Sequence, residues 1–214
     1  MTRQCGDCTL CCRLLPMAAE TRPEFRETVA AMIAVGMLTK AEAAAAVPDF
    51  TKAAGHVCPH QRERNVLSPE PAGCAIYRRR PLGCRLWNCR WLLNDDCEDL
   101  DRPDQSHYVI DVAPDFVTDA ETGKKLGVIQ VWCDPKFPDA HRDPKLRAFL
   151  DRRGAEGYAA LIRFGSSDAM AIFPPSITGG RWLEKPRQEA RTAEHSVEER
   201  AAALGTYKIN LVKQ

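Results

Sequence analysis

The stretch Cys5-Gly6-Asp7-Cys8-Thr9-Leu10-Cys11-Cys12 carries four thiols within eight residues. Two-residue gaps between cysteines let a tight turn present successive thiolates to one ion, as in zinc knuckles and ferredoxin-type runs. Cys5, Cys8 and Cys11 match the first three ligands of a ferredoxin run, but Cys12 follows directly where that run continues differently. Because neighbouring side chains diverge, the spacing indicates two metal sites, or one polynuclear site, that share this loop.

A second group of cysteines has less regular spacing, and the part of it from residue 74 to residue 89 is rich in arginine. Four thiolates around Zn²⁺ or around a [4Fe–4S]²⁺ core leave a net negative charge, which guanidinium and backbone N–H groups would offset. We therefore predict a metal site that holds about two zinc ions or an iron–sulfur cluster. Its predicted ligands are the cysteines of both groups: Cys5, Cys8, Cys11, Cys12, Cys58, Cys74, Cys84 and Cys89.

Other cysteines and histidines are less strongly predicted to be ligands of this site. An isolated cysteine is more often a small buried hydrophobe than a ligand, and Cys133, at the end of an apolar strand, fits that interpretation. Cys97 lies in an acidic run that disfavours a thiolate. His56 and His60 flank a predicted ligand, and mixed cysteine and histidine sets are common for zinc. The sequence leaves open whether these four residues take part.

Composition and charge limit the classes of partner. Thirty basic and 29 acidic residues give a formal charge of +1, so we expect no nucleic-acid or membrane partner and allow a protein partner. No apolar stretch would serve as a signal peptide or cross a bilayer, which predicts a cytoplasmic, reduced protein. Ten cysteines in that compartment favour metal binding over a disulfide framework.

The distribution of cysteines divides the chain. Nine of the ten lie within residues 5–97. We predict a Cys-rich zinc- or iron-chelating module over residues 1–104 and an α+β antiparallel-sheet region over 105–214 packed on it. The module contains a helical insert at about residues 22–47, with a capping box formed by Thr39 and Glu42. Residues 58–104 look irregular and in need of a bound metal, and the acidic run in 95–104 reads as a solvated loop.

The predicted fold class is α+β, with an irregular Cys-rich module of short helices followed by a small antiparallel sheet with helices. Asp143-Pro144 is a good helix start and Gly154 a good stop. Glycine and serine at 165–167 predict a hairpin between the flanking strands. The remaining predicted elements of this half are strands at Tyr108–Val112, Leu126–Trp132, Tyr158–Phe164, Ala169–Phe173 and Tyr207–Val212, and a helix from Ser196 to Gly205.

The cysteine pattern resembles that of a known family. The first run, followed by Cys58 and by Cys74-x-Ile76-Tyr77-x2-Arg80-Pro81-x2-Cys84-Arg85-x-Trp87-x-Cys89, is similar to the bacterial YkgJ-like CxxCxxCC family of zinc- or iron-chelating domains. The resemblance covers residues 4–92 and implies metal chelation without settling the metal. Relatives of this domain occur in flagellin lysine methylases, but no glycine-rich cofactor loop in this chain supports that activity.

Several functions are compatible with this pattern. We expect a metal-binding protein with a structural or interaction role. The alternatives are an iron–sulfur redox protein, a cluster-containing protein-modifying enzyme of the methylase kind, and a metallochaperone. The sequence carries no G-x-S-x-G, H-E-x-x-H or P-loop motif, so catalysis has no positive support, and whether the protein is an enzyme stays open.

Overall fold

The chain folds into two units of short helices and strands. The computed structural model describes residues 6–17, 23–48, 50–62, 72–112, 115–118, 125–165, 168–185 and 188–189. The first unit ends at Asn88 and the second begins at Cys89. Short helices together with a mixed sheet confirm the α+β class. Cys5 and the elements predicted over 196–212 lie outside the described residues, and the domain boundary predicted at residue 104 stays a prediction.

The first unit consists of short elements joined by turns. Its two strands pair in an antiparallel ribbon, with Gln61 opposite Cys74. Its described elements are helices α1 (Leu10–Leu14), α2 (Pro23–Ala34) and α3 (Lys40–Ala45), strands β1 (Gln61–Arg62) and β2 (Gly73–Cys74), a 3-10 helix (Tyr77–Arg79) and helix α4 (Leu82–Leu86).

The helical insert forms as predicted, with its two helices α2 and α3. Thr39 caps α3: its Oγ1 accepts from the N–H of Glu42 at 3.1 Å, and Oε2 of Glu42 accepts from the N–H of Thr39 at 2.9 Å. This reciprocal pair satisfies two N–H groups that the helix leaves without partners, which fixes where α3 begins. No side chain of α3 is buried, so the cap and its local pairs, rather than a core, hold this helix.

The apolar core of the first unit is small. Its buried hydrophobic side chains are those of Cys8, Leu10, Leu14, Leu15, Leu38 and Ala54 in the described residues. At about 1.5–3 kcal/mol per buried large side chain, so few residues give little stability against the entropy of ordering the unit. This agrees with a module whose fold needs a second source of stability.

The second unit is built on a seven-stranded mixed sheet with helices. It begins with short elements that lead into strand β3. Its described elements are helix α5 (Arg90–Leu93), a 3-10 helix (Asp95–Cys97), α6 (Pro103–Ser106), β3 (Tyr108–Ile110), β4 (Asp115–Thr118), β5 (Lys125–Cys133), a 3-10 helix (Pro138–Arg142), α7 (Pro144–Ala155), β6 (Ala159–Arg163), β7 (Asp168–Phe173), α8 (Pro175–Thr178), β8 (Leu183–Glu184) and β9 (Gln188–Glu189).

Strand β5 organises the sheet. Strands β3 and β4 pair with it antiparallel along one edge, and β6 pairs with it parallel along the other. Strand β6 then pairs antiparallel with β7, which confirms the predicted hairpin, and β8 and β9 both pair with β7. The sheet is therefore mixed rather than purely antiparallel. A parallel pair needs a long crossover, and here helix α7 lies in the connection between β5 and β6.

Helix α7 covers one face of the sheet. Asp143 caps it by accepting from the N–H of Lys145 at 2.9 Å, and Pro144 occupies the first turn, which confirms the predicted helix start. In the main hydrophobic core, α7 packs against alternate residues of the strands. The helix contributes Leu146, Phe149 and Leu150, and the strands contribute Ile129, Val131, Cys133, Ala160, Ile162 and Ile172. A smaller hydrophobic cluster consists of strand residues that alternate with these: Val128, Ala159, Leu161 and Ala169. Both faces of β5 and β6 are thus buried.

The acidic segment after α5 is solvated at Asp95, Glu98, Asp99 and Asp101, as its composition predicts, but Asp96 is an exception. Asp96 accepts from Nη2 of Arg90 at 2.7 Å and from Arg153 of α7. The Arg90 side chain is 3% exposed. Because a buried arginine is almost always paired with an acidic group, the carboxylate of Asp96 serves as the partner of Arg90 within the unit.

The described helices contain no membrane-spanning candidate: none combines the length and the apolar character that crossing a bilayer requires.

Candidate metal centre

The predicted ligands lie on several elements of the chain, and none of those that are described is in a disulfide. Cys8 precedes α1 and is buried, whereas Cys11 and Cys12 lie in α1 and are half-buried. The remaining described ligands are Cys58 in the loop before β1, Cys74 in β2, Cys84 in α4 and Cys89, which precedes α5 in the second unit and is buried.

Backbone pairing aligns the segment 12–17 with the segment 52–58. The N–H of Cys58 donates to the carbonyl of Cys12 at 3.0 Å, and that of Gly55 donates to Leu14 at 2.9 Å. At the far end Met17 and Lys52 form an isolated β-bridge, with N–H···O distances of 2.8 and 2.6 Å. These contacts bring the first cysteine group to the start of the second.

Strand pairing attaches the segment of Cys74 to the same region. Gln61, three residues after Cys58, lies opposite Cys74 in the β1–β2 ribbon, and its N–H donates to the carbonyl of Cys58 at 3.0 Å. Gly73 packs closely against the first loop, since a Cβ added to it would lie 3.8 Å from the carbonyl oxygen of Gly6. The loop that carries the first cysteines, the residues before β1 and strand β2 are therefore neighbours.

Lys52 is a buried cation in the same region as three of the cysteines. It is only 9% exposed. Burial lowers the pKa of its ammonium, while negative charge at Cys58, Cys12 and Cys84 would raise it. The β-bridge of Lys52 to Met17, whose Sδ lies 3.1 Å from the Sγ of Cys84, links the lysine to α4.

A thioether lies beside these thiols. The Sγ of Cys84 lies 3.1 Å from the Sδ of Met17 and donates to it. Helix α4 begins after Pro81 and carries Cys84 in its first turns. The contact ties α4 to the residue that bridges to Lys52.

The arginines of the segment 74–89 have other partners than expected. Arg85 donates to the carbonyl of Arg78 and lies 3.8 Å from the carboxylate of Glu42, while Arg80 stacks on the ring of Tyr77 at 4.4 Å. Arg78 and Arg79 are exposed. The pKa of Lys52, which we did not predict to be near the cysteines, is the one that negative charge at Cys58, Cys12 and Cys84 would raise.

The residues left open by the sequence make other contacts. Nδ1 of His56 lies 3.4 Å from the carbonyl of Ala54, and the ring of His60 packs edge-on against Phe50, with centroids 5.4 Å apart. Cys97 is fully buried and donates to the carboxylate of Asp96 at 3.2 Å. Cys133 is 1% exposed, and burial raises the pKa of its thiol to about 12. These cysteines have the environment of inert thiols.

Cysteine sulfur suits a thiophilic metal, although the described cysteines are not arranged around one metal position. Within the described part of the chain, no three cysteine, histidine or acidic side chains are grouped as a metal ion would require. Thiolates repel one another, so a metal ion is needed to bring them together. For this reason a preformed site is rare in the absence of metal. Cysteines on adjoining segments, with no disulfide among those described, are what such a site would close from.

Sequence reasoning missed Met17 and Lys52. Neither lies in a cysteine motif or at a spacing that predicts a ligand. Their placement depends on the pairing of two segments separated by the helical insert. A lysine six residues before a cysteine does not by itself predict that the lysine lies near a metal site.

Comparison with known families gives one match. Residues 4–107 match the family CxxCxxCC, described as "Putative zinc- or iron-chelating domain". Comparisons with the curated proteins and with the solved structures gave no match.

Proposed function

We propose, from the match of residues 4–107 to the CxxCxxCC family of zinc- or iron-chelating domains, that the domain chelates its metal through eight cysteine thiolates. We propose zinc as the resident metal, at about two ions per chain, because two tetrahedral sites use eight thiolates without remainder. The role we propose is structural: the metal holds together a module whose apolar core is small.

One observation carries this proposal. Backbone contacts bring three predicted ligands from separate segments together: the N–H of Cys58 donates to the carbonyl of Cys12, and Cys74 lies opposite Gln61, whose N–H donates to the carbonyl of Cys58. Such a grouping of cysteines from separate segments has no use in an apolar core, where a thiol is only a small hydrophobe. It is what a soft metal would need, since thiolate sulfur is the preferred ligand of zinc and of iron–sulfur clusters.

The bound metal would supply a cross-link between segments that have few other contacts. When bound, zinc in a closed site acts structurally, and binding free energy becomes folding free energy. The chain's own contribution is to direct the thiols, through helices α1 and α4 and the β1–β2 ribbon. An iron–sulfur cluster is the second candidate, favoured by the spacing of Cys5, Cys8 and Cys11.

The test is elemental analysis with a visible absorption spectrum, on full-length protein purified without oxygen. About two zinc ions per chain and no colour are expected under the two-site interpretation. Iron with matching sulfide and brown absorption would identify the bound group as an iron–sulfur cluster instead of zinc, and the proposal of metal chelation would stand. Neither zinc nor iron above the level of a control protein would overturn the proposal. Cys133→Ala serves as the matched variant, because its thiol lies in the core of the second unit and should not change the metal content.

A further inference from the structure

The run of three arginines at residues 78–80 is not accounted for by the proposed metal site. The sequence led us to expect that these guanidinium groups offset thiolate charge, but Arg78 and Arg79 are exposed. Tyr77, which precedes them, is 49% exposed, and the guanidinium carbon of Arg80 lies 4.4 Å from the centroid of its ring. We call residues 77–80 the arginine surface.

The fold fixes the arginine surface through its main chain. The N–H of Arg79 donates to the carbonyl of Ile76 at 2.7 Å, and the carbonyl of Arg79 accepts from the N–H of Val47 at 2.8 Å. The carbonyl of Arg78 accepts from the guanidinium group of Arg85. These bonds join the 3-10 helix to the residues after α3 and to α4. They do not depend on the side chains of Arg78 and Arg79, whose guanidinium groups are therefore held at the surface without serving the core.

Such a concentration of positive charge favours an acidic partner. Guanidinium groups that lie close together repel one another, and a bound anion relieves that repulsion. The charge is local, because the whole chain carries a formal charge of only +1. A guanidinium group matches a carboxylate through two parallel hydrogen bonds. Aspartate and glutamate side chains therefore suit the arginine surface.

The composition of the surface favours a protein segment over a nucleic acid. Tyrosine and arginine are enriched among the side chains that dominate binding at protein interfaces, and Tyr77 and Arg80 are already stacked, which lowers the entropy cost of binding. A nucleic-acid interface needs basic groups spread over roughly 1,000 Å² to follow the phosphates. Beside this surface, by contrast, the carboxylate of Glu42 lies 3.8 Å from Arg85.

We propose that the arginine surface docks an acidic segment of a partner protein. Carboxylates of that segment pair with Arg78 and Arg79, and its chain packs on the stacked side chains of Tyr77 and Arg80. The proposal goes beyond the proposed function, because it assigns a protein-binding surface that uses no cysteine and no metal ion.

The first test measures binding of a fluorescent oligoglutamate peptide to the full-length protein by anisotropy at low salt. Binding by the double variant Arg78→Gln/Arg79→Gln should be about tenfold weaker. Arg78→Lys/Arg79→Lys keeps the charge but not the two-bond geometry, so its loss should be smaller. The matched control is Arg142→Gln/Arg152→Gln, which removes the same charge from the second unit, where both arginines already lie near carboxylates. The control should bind as the wild type does.

A second pair of variants tests the stacked ring. Tyr77→Phe keeps the ring beneath Arg80 and should bind the peptide as the wild type does, whereas Tyr77→Ala removes it and should weaken binding about threefold. Equal binding by these two variants would remove Tyr77 from the surface.

The peptide measurements either support the acidic partner or overturn it. Absence of binding by the wild type, or equal binding by the double glutamine variant, would contradict the proposal. An equal loss in the control pair would assign the effect to net charge and contradict it as well. Tighter binding of duplex DNA, with the same loss in the double glutamine variant, would make the partner a nucleic acid instead. A wild-type dimer that this variant dissolves would make it a second copy of the chain.

Metal content separates this proposal from the proposed function. The double glutamine variant should keep the zinc or iron of the wild type, because substitutions of exposed side chains rarely disturb a fold. Wild-type protein without metal refutes chelation, whatever the peptide shows. Metal-loaded wild type that does not bind the peptide refutes the docking surface alone.

Discussion

At the scale of single residues, burial and neighbouring charge sort the cysteines into two kinds. Cys133 is enclosed by the sheet and α7, so that burial raises the pKa of its thiol to about 12. Cys97 is fully buried and donates to Asp96. Cys12, Cys58 and Cys84 in the first unit are half-buried, and negative charge on them would raise the pKa of Lys52. The same side chain is thus enclosed by the core of the second unit and partly exposed in the first.

This contrast predicts selective alkylation. In protein freed of metal by a chelator at pH 8, Cys133 should react with iodoacetamide roughly a thousandfold more slowly than an ordinary cysteine, because a pKa near 12 leaves it so little thiolate. Peptide mass spectrometry measures the modification at each site. Below pH 9 the neutral buried thiol costs no stability; as pH rises from about 9 to about 12 the thiol ionises in the unfolded state but not in the folded state, so stability is lost over this range. Modification of Cys133 as fast as of Cys58 would contradict this prediction.

A second residue-scale prediction concerns Asp96. Burial alone would raise the pKa of this carboxyl, but the hydrogen bond and charge of Arg90, with the charge of Arg153, lower it below the ordinary value. Asp96→Asn leaves Arg90 buried without that carboxylate and should reduce the free energy of unfolding at pH 7 by about 3 kcal/mol. Urea denaturation followed by circular dichroism measures the change.

The pH dependence of this variant has a definite sign. Because the folded-state pKa is lowered, the stabilisation by Asp96 is complete above its unfolded pKa and is lost as pH falls through the folded pKa. The difference between wild type and Asp96→Asn should therefore shrink in acid. Asp139→Asn is the control, since that side chain is 78% exposed and its pair with Arg142 is solvated. Its effect should stay within about 0.5 kcal/mol.

At the scale of elements, Gly154 has a different role from the one its sequence context predicts. We expected it to end α7, but the helix runs to Ala155, and Gly154 lies buried in the last turn. A Cβ added there would come within 2.8 Å of the ring of Pro174 and would also collide with Ser176. The missing side chain lets α7 lie close against the residues around the start of α8.

Gly154→Ala should therefore destabilise the second unit by about 2 kcal/mol, although alanine is the better helix former. The rigid ring of Pro174 cannot give way as a flexible side chain would. Gly165→Ala is the matched control, because nothing lies within 4 Å of its added Cβ. Thermal unfolding of both variants tests the prediction, and an equal or higher melting temperature for Gly154→Ala would count against close packing.

Elements with local signals were predictable and those set by pairing were not. Thr39 with Glu42, and Asp143 with Pro144, start helices through contacts within one turn, which the sequence displays directly. The parallel pairing of β5 with β6 depends on a crossover through α7, and strand composition alone does not reveal strand direction. Lys52 escaped notice for the same reason, since its position depends on a bridge to Met17 across the helical insert.

At the scale of the whole molecule, the two units draw their stability from different sources. The second has a continuous apolar core between α7 and the sheet. In the first, the described core is a handful of side chains from α1 and the loops. Small domains with so little apolar burial usually need disulfides or metals to fold. None of the described cysteines is in a disulfide, which agrees with the proposal that a metal supplies this stability.

Removal of the metal should consequently unfold the first unit and leave the second folded. Anaerobic treatment with a strong chelator is expected to make residues before Asn88 sensitive to limited proteolysis, while a fragment that begins near Cys89 survives, because the apolar core between α7 and the sheet stabilises the second unit. Mass spectrometry locates the cuts, and zinc added back without oxygen should restore protection. Cys84→Ser should show the same cuts without chelator, whereas Cys133→Ala should resist them as wild type does. Protection of the first unit that persists after complete loss of metal would mean that its fold rests on its own packing, and the structural role of the metal would then have to be abandoned.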